Sequence, residues 1–440
     1  MQVLSRLIKR MRFVVTLISE AYTLKDKFTI LSYYMRIDLF LINHLRNITS
    51  SPLLRSNVTI KNKYGLFFCG NNKYTLFGFS SLSESNIRGR PWIKEEGISI
   101  ESVKYKNRKL FSLLRVIPNL KGYDVIHIHH ENRLFGIIDG IWFMPFITLL
   151  RIFSRAKIIM TFHTVHTRDE QLFSLHPFLN FLKRNFTHPL NYIFANLFAD
   201  KFIVMAPFLK EKLSQASPIK KEKIVFIPPG INFNTPKFDK SKSKEELNLK
   251  GFVYLIIGTL GQNKGVDLIL TQAKKIGKTI LIAGNLGGSK QGYAEELQDY
   301  VKKNGLNKIV RLDLMNEIPS KSPPLWWKYF SAADLILLPY RVTTTSGIFI
   351  DAMSSERPVV SSNLDYFREI SKNYGCIKIA KKVEDYPKVI KEALKQHKFM
   401  EKEARRFKRL NDISLVGMKH KELYKEVINQ DKSLLKKRLT

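Results

Sequence analysis

Short apolar runs, separated by polar and helical stretches, recur along most of the chain. The run YDVIHIHH (123–130) is almost wholly apolar and short, which is typical of a strand buried in a parallel sheet. Further runs of this kind lie at 73–79, 98–105, 156–163, 201–206 and 223–230. Because helical stretches alternate with these strands, the pattern predicts a doubly wound α/β domain over residues 71–237.

A second series of alternating elements begins at FVYLIIG (252–258). It predicts helices at 266–276 and 293–305 and further strands at 278–284, 308–314, 333–340 and 358–362. The polar, charged segment 238–251 before it has no apolar period, so we place a linker there. The series predicts a second Rossmann-like domain over 252–382, followed by basic helices at 383–440. Ligands of such sheets bind at the carboxyl ends of the strands, so we expect the site in the cleft that the two domains face.

The first 70 residues carry a different pattern. Segments 11–24 and 28–45 each show an apolar face broken by charges, which predicts an N-terminal helical extension. Such helices either pack on the protein body, the interpretation we favour, or lie on a membrane. The basic residues near the start precede an apolar run without a small-residue cleavage pattern, so we do not expect a signal peptide.

The charge balance narrows the range of partners. The chain has 73 Lys and Arg against 38 Asp and Glu, a formal net charge of +35, and 44% of its 440 residues are hydrophobic. This hydrophobic content excludes a disordered chain. The basic excess is spread along the chain without a nucleic-acid-binding motif, so no nucleic acid partner is expected. Cys69 and Cys376 are too few for a disulfide framework, and we interpret both as buried thiols.

Membrane contact is predicted to be peripheral. The most apolar segment, 135–153, is interrupted by charges and a proline and lacks the roughly 18 apolar residues of a transmembrane helix. We therefore expect a cytoplasmic protein. Segments 141–151 and 172–186 have the composition of interfacial helices, with core helices as the alternative. Together with the basic surface, they favour contact with anionic lipid on the inner face of the cell membrane.

Candidate chemistry lies where the predicted strands end. In GTLGQNKG (258–265), glycines let the backbone approach an anion, and Lys264 adds a cation at a helix N-terminus. In RVTTTSGIFIDAM (341–353), Asp351 lies one turn into a helix, a depth from which a carboxylate reaches a ribose diol. Ser346 is a candidate N-cap, which competes with ligand contact as its role. A favourable interaction with the helix dipole is the alternative role for Asp351.

Histidines mark the ends of two predicted strands. His163 follows the strand at 156–163 in TFHTVH, and this position favours a functional histidine over a structural one. His127 and His129 lie on one face of their strand, as metal ligands would. No carboxylate or thiol is placed to complete their set, so we expect no metal site.

The order of these segments resembles the family 4 retaining glycosyltransferases of the GT-B fold. The matching segments are DVIHIHH, TFH, IPPGIN, GTLGQNKGVDLIL, LIAGN, SAADLILLPY and SGIFIDAMSSERPVV. The segment RRFKRLNDISLVGMKHKELYKEVI is similar to that family's terminal helix, which returns to the N-terminal domain. The resemblance covers residues 73–430 and implies an acceptor-binding N-terminal domain and a C-terminal domain that binds a nucleotide sugar.

The resemblance also implies roles for individual residues, without a metal or other cofactor. Lys264 would neutralise the donor diphosphate, and His163 would contact the donor sugar or the acceptor, so both are candidate catalytic residues. Asp351 matches the ribose-binding second glutamate of the family's paired motif. The full set of candidate donor-binding residues is Gly258, Thr259, Gly261, Lys264, Gly284, Thr345, Ser346, Gly347 and Asp351.

Two positions depart from the family pattern. Thr259 stands where many members have an arginine, and no carboxylate lies at Thr343–Thr345, where the first glutamate of the pair falls. The expected function is sugar transfer from a nucleotide sugar to a lipid-linked or glycan acceptor, in glycolipid, glycan or polysaccharide biosynthesis. One alternative is a transferase with a soluble sugar acceptor. The other is a catalytically silent partner subunit, and the two departures from the family pattern support this second alternative.

Overall fold

A computed structural model describes residues 63–67, 99–103, 110–114, 117–120, 123–136, 138–167, 177–231, 235–285, 291–315 and 323–439. These residues contain two six-stranded sheets in which all pairs of neighbouring strands are parallel. The predicted strand at 73–79, Cys69 and residues 1–62 of the predicted extension lie outside the described residues.

The first sheet has the strand order β2-β1-β3-β4-β5-β6. Its strands are β1 (Lys63–Phe67), β2 (Ser99–Val103), β3 (Val125–His130), β4 (Lys157–Phe162), β5 (Lys201–Val204) and β6 (Ile224–Phe226). The α-helices between them are α1 (Leu110–Leu114), α2 (Phe143–Phe153), α3 (Pro177–Leu182), α4 (His188–Phe198) and α5 (Pro207–Ala216). A π-helical turn, Lys183–Thr187, joins α3 to α4. β3 and β4 pair from Val125 opposite Lys157 to His130 opposite Phe162, so His163 follows directly beside His130.

The position of β1 corrects the predicted boundary of the first domain. β1 pairs with β2 and β3, so the first sheet includes residues upstream of residue 71 that were assigned to the helical extension. The sequence KYGLF is five residues long with a central glycine, and it gives too short a periodic signal to be recognised as a strand.

The second sheet has the strand order β12-β11-β10-β7-β8-β9. Its strands are β7 (Val253–Thr259), β8 (Thr279–Asn285), β9 (Val310–Met315), β10 (Leu335–Leu338), β11 (Val359–Ser362) and β12 (Ile377–Ala380). The helices are α7 (Val266–Ile276), α8 (Gln291–Lys303), α9 (Pro323–Ala332), α10 (Gly347–Ser354), α11 (Asp365–Asn373) and α12 (Tyr386–Lys395). The chain order reverses between β7 and β10, which is therefore the topological switch point. All five strands predicted for this domain are present, and β12 is an additional one.

The segment predicted as a linker contains a short helix, α6 (Lys240–Glu246), and its sequence explains why. Asp239 caps α6 by accepting a hydrogen bond from the Lys242 backbone N–H at 2.7 Å. Lys240 and Lys244 then form ion pairs with buried Asp334, which also accepts from the Val253 backbone N–H at 2.8 Å. Because α6 is attached to the second sheet through charges, it needs no apolar period.

The last two helices, α13 (His397–Leu410) and α14 (Ile413–Leu439), end the described chain. α14 crosses back to the first sheet, where apolar residues of the two elements form one core; they are Val125, Ile159, Ile203, Ile227, Val416, Leu423, Tyr424 and Val427. A second contact joins the domains, because Glu369 of α11 accepts a hydrogen bond from the Phe208 backbone N–H at the start of α5, at 3.2 Å. Within the described parts of the chain, no helix combines the length and apolarity needed to span a membrane.

Candidate functional site

The loop 258–265, which includes the last two residues of β7 and leads into α7, contains the candidate phosphate-binding motif. The backbone conformation of this loop requires a glycine at two positions, one in the loop and one in the neighbouring strand β8, because a side chain at either would meet a backbone oxygen. Gly265 has a φ of +63°, and a Cβ there would lie 2.0 Å from the carbonyl oxygen of Pro339. Gly284 of β8 has a φ of +149°, and a Cβ there would lie 1.9 Å from the carbonyl oxygen of Gly258. The loop therefore packs against the ends of β8 and β10 as closely as backbone atoms allow.

Lys264 lies at the end of a 3₁₀ turn, Gln262–Lys264, that leads into α7. Its Nζ is 3.8 Å from the centre of the Tyr340 ring, a cation–π contact that holds the ammonium group beside the loop. No side chain caps the N-terminus of α7. A cation and an uncapped helix N-terminus in the same loop make a site that favours a diphosphate.

Arg341 organises this loop, although it was not predicted as a site residue. Its guanidinium donates to both carboxylate oxygens of Asp267 in α7, at 2.8 and 2.5 Å, and to the carbonyl oxygen of Gln262 at 2.6 Å. Its backbone N–H donates to the carbonyl oxygen of Asn263 at 2.9 Å. Burial raises the pKa of Asp267, but hydrogen bonds from Arg341 and Tyr293 outweigh burial, so the pKa lies below its ordinary value.

The turn before α10 is ordered by its own side chains. Ser346 is the N-cap of α10, and its hydroxyl accepts a hydrogen bond from the Phe349 backbone N–H at 3.1 Å. Thr343 donates its hydroxyl proton to the carbonyl oxygen of Thr345 at 2.6 Å. The capping role considered for Ser346 is therefore present. The turn 343–347 offers its backbone at the end of β10.

Asp351 is buried within α10, with the Trp326 side chain of α9 as a hydrogen-bond partner. Burial raises the pKa of its carboxyl group to about 7, although the bond from Trp326 opposes this rise. A carboxyl group with this pKa changes its protonation state near neutral pH, which is uncommon away from functional sites.

His163, the candidate catalytic residue of the first domain, is buried beside His129. The His163 Nε2 and the His129 Nδ1 are 3.0 Å apart, and the His163 backbone N–H donates to the carbonyl oxygen of His130 at 3.1 Å. Burial lowers the pKa of His163 to about 4 and the pKa of His129 well below its ordinary value. Both rings are therefore neutral at pH 7, and one ring donates the shared proton to the other.

His127 is held by two hydroxyl groups. Its Nδ1 is 2.6 Å from the Tyr424 hydroxyl of α14, and its Nε2 is 2.7 Å from the Thr161 hydroxyl. The His127 ring also stacks on His129 with centroids 4.6 Å apart. Over the residues that the structure describes, no group of three or more His, Cys, Asp or Glu side chains is arranged to hold a metal ion.

The predicted donor residues form one group at the carboxyl edge of the second sheet. Gly258 and half-buried Thr259 end β7, Gly284 lies near the end of β8, and the turn with Thr345, Ser346 and Gly347 follows β10. These strands flank the switch point, where ligands of doubly wound sheets bind. His163 lies at the corresponding edge of the first sheet, after β4.

Sequence models of two glycosyltransferase domains match this chain. The model of Glycosyltransferase Family 4 matches residues 80–235, and that of Glycosyl transferases group 1 matches residues 251–396. The first match covers β2 to β6, the second covers the whole second sheet, and together they cover more than half of the chain. The chain belongs to the family 4 glycosyltransferases of the GT-B fold.

Two relatives of known function are similar to parts of the chain. Mannosylglucosylglycerate synthase of Thermotoga maritima is 26% identical over 34% of this chain and 34% of its own length. Mannosylfructose-phosphate synthase of Agrobacterium fabrum is 28% identical over 40% of each chain. The matched regions thus span between a third and two fifths of these relatives.

Solved structures show the same fold along nearly their whole length. HepE of Anabaena in complex with UDP-glucose has a TM-score of 0.62 and 14% identity, with 83% of this chain and 99% of that chain covered. Sucrose-phosphate synthase of Thermosynechococcus elongatus has a TM-score of 0.62 and 16% identity, with 84% and 100% covered. At these identities, the likeness establishes the two-domain GT-B architecture.

Proposed function

We propose that this protein transfers a sugar from a nucleotide-sugar donor to a hydroxyl group of an acceptor. The observation that carries the proposal is the loop 258–265, in which Lys264 and the uncapped N-terminus of α7 lie together at the switch point of the second sheet. The bond from the anomeric carbon to the diphosphate breaks, a bond to the acceptor oxygen forms, and the proton of the acceptor hydroxyl passes to the departing diphosphate. Lys264 and the helix N–H groups stabilise the negative charge that develops on the leaving diphosphate.

The remaining candidate residues complete the donor site in this proposal. The Asp351 carboxylate accepts hydrogen bonds from the ribose hydroxyls. The backbone of Gly258, Thr259, Gly261 and the turn 345–347 contacts phosphate and sugar, with Gly284 allowing the close approach of β7 and β8. Neutral His163 donates to or accepts from the reacting sugar hydroxyls, and retention of the anomeric configuration is what the family resemblance implies.

Nucleotide binding tests the donor site directly. Calorimetry with UDP, GDP and ADP first identifies the nucleoside diphosphate that wild type binds best. We expect Lys264→Ala to weaken binding of that nucleotide by about 10- to 100-fold, because one strong electrostatic contact is lost. Lys274→Ala, at the opposite end of α7, is the matched control and should bind as the wild type does. Equal affinities for wild type and Lys264→Ala would remove Lys264 from the donor site.

The acceptor in our proposal is a lipid-linked sugar or glycan at a membrane surface. Segment 141–151 lies largely in α2, whose buried residues include Phe143 and Phe146, which favours the core-helix alternative there. In α3, by contrast, Phe178 is 62% and Phe181 is 55% exposed. The π-helical turn that follows contains half-buried Arg184 and Lys183, whose ammonium group forms an ion pair with Asp139 at 3.3 Å. Exposed aromatic side chains suit a lipid interface, and the net charge of +35 on the whole chain favours anionic lipid.

Vesicle flotation tests the membrane contact. We expect wild type to float with vesicles that contain anionic lipid at low salt, and the double variant Phe178→Ser/Phe181→Ser to lose most of this binding. Phe399→Ser is the control, because Phe399 is 54% exposed on α13, outside the first domain. Absence of wild-type binding, or equal binding by the double variant, would leave the soluble sugar acceptor as the better hypothesis.

A further inference from the structure

Arg341 connects the two segments that would enclose the donor diphosphate. Arg341 follows β10 and Tyr340, and the Tyr340 ring lies under the Lys264 ammonium group. The backbone N–H and the guanidinium of Arg341 both donate hydrogen bonds to the loop 258–265. The Gln262 carbonyl receives one guanidinium N–H, and the Asn263 carbonyl receives the backbone N–H. Both bonds fix the 3₁₀ turn that ends in Lys264.

The same guanidinium also controls the charge at the start of α7. Asp267 lies in the first turn of that helix, where a carboxylate is favoured by the helix dipole but repels a bound anion. The two parallel N–H bonds from Arg341, at 2.8 and 2.5 Å, match the fork of a carboxylate and neutralise its charge. Tyr293 adds a third bond to Asp267 at 3.0 Å.

We infer that Arg341 is a positioning residue of the donor site with two separable effects. It holds the turn 262–264 so that Lys264 keeps its place, and it neutralises Asp267 so that the N-terminus of α7 stays attractive to a diphosphate. Arg341 acts through Lys264 and Asp267, because its guanidinium is already occupied by the carboxylate. The inference rests on the proposed nucleotide-sugar site and adds a residue that lies outside the glycine motif.

A comparison of single and double variants tests the neutralising effect. The probe is inorganic pyrophosphate, which carries the diphosphate without a base or sugar, measured together with the nucleoside diphosphate that wild type prefers. We expect Arg341→Gln to weaken binding of both about tenfold, because it leaves the Asp267 charge without a cationic partner, with only the neutral Tyr293 hydroxyl still donating to it. Arg341→Gln/Asp267→Asn should regain a large part of this loss. The affinity of Arg341→Lys should lie between those of wild type and Arg341→Gln, since a lysine keeps the positive charge but cannot donate two parallel hydrogen bonds to the carboxylate.

The control is Arg368→Gln, which removes a surface arginine–aspartate pair in α11 of the same domain and should leave binding unchanged. Wild-type affinity in Arg341→Gln, or a double variant no better than the single one, would overturn the neutralising effect. Hydrogen exchange of the Lys264 and Gly265 amides, without ligand, tests the positioning effect by itself. We expect faster exchange in Arg341→Gln, and unchanged exchange would overturn that part. If wild type binds no probe, the proposed donor site fails, while the exchange result still decides whether Arg341 holds the loop.

Discussion

The buried imidazole of His130 makes the stability of the first domain depend on pH, and the size of this dependence can be calculated. Its ring is enclosed by three aromatic side chains, those of Phe135, Phe143 and Phe162, and neither ring nitrogen has a hydrogen-bond partner. Burial, with smaller contributions from neighbouring histidines, lowers the pKa of His130 from 6.5 to about 3. Below pH 6.5 the unfolded chain therefore binds a proton that the folded chain does not, and stability decreases as the pH falls toward 3. Linkage over these pKa values gives a loss of about 2 kcal/mol at pH 5 relative to pH 8.

His130→Leu should remove this loss. At pH 8 we expect the variant to be at least as stable as wild type, because an unpaired buried polar group costs about 1–3 kcal/mol. At pH 5 its advantage should grow by about 2 kcal/mol. The assay is urea unfolding at both pH values, followed by fluorescence. Phe202→Leu is the control, since buried Phe202 stacks on Phe162 and is not one of the three rings around His130, so it should change the free energy of unfolding equally at both pH values. An equal effect of His130→Leu at pH 8 and pH 5 would refute the buried neutral imidazole.

Three further substitutions, one of them with a matched comparison variant, test other contacts. The pKa of Asp351 is about 7 in the folded protein against 3.8 in the unfolded chain, so its contribution to stability is lost as the pH rises from 3.8 through 7. Asp351→Asn should therefore be more stable than wild type at pH 8 in urea unfolding. The same variant should bind the nucleotide more weakly in calorimetry. Gly284→Ala should lower the free energy of unfolding by about 3 kcal/mol, because the new Cβ would meet a backbone oxygen at a positive φ. Gly277→Ala, at a positive φ without a close contact, should lower the free energy of unfolding by about 1 kcal/mol in the same assay. Asp334→Ala should destabilise the second domain by about 3 kcal/mol in thermal unfolding, because two lysines and the Val253 N–H lose their partner. Unchanged stability in the Asp351, Gly284 or Asp334 variant would contradict the contact that it tests.

The pattern of apolar runs predicts the central strands of the two sheets. The strands around YDVIHIHH and FVYLIIG are buried on both faces, so each gives a continuous apolar run that ends where a ligand site begins. The glycine loop and the N-cap at Ser346 were predictable as well, because turns and caps depend on neighbouring residues. The strands β1 and β12 were missed because they are only five and four residues long. The helix α6 was missed because it is attached by charge rather than by an apolar face.

Contacts between distant segments were not predictable. Arg341 and Asp267 are separated by 74 positions, and His129 and His163 by 34, so no local spacing indicates that either pair meets. The burial of Asp351 against Trp326 likewise depends on how α9 and α10 pack. Such pairings are decided by the tertiary arrangement of helices on the sheet, which a periodic pattern does not specify.

The measurement that tests sugar transfer most directly is the release of nucleoside diphosphate from a panel of nucleotide sugars, with and without a lipid extract or soluble sugars as acceptors. We predict release from one donor, stimulated by an acceptor, and lowered on the order of 100-fold in Lys264→Ala. Stimulation by the lipid extract would support the membrane acceptor, and stimulation by a soluble sugar would replace it. No release from any donor or acceptor, with nucleotide still bound, would contradict a transferase and leave a silent partner subunit of the same fold.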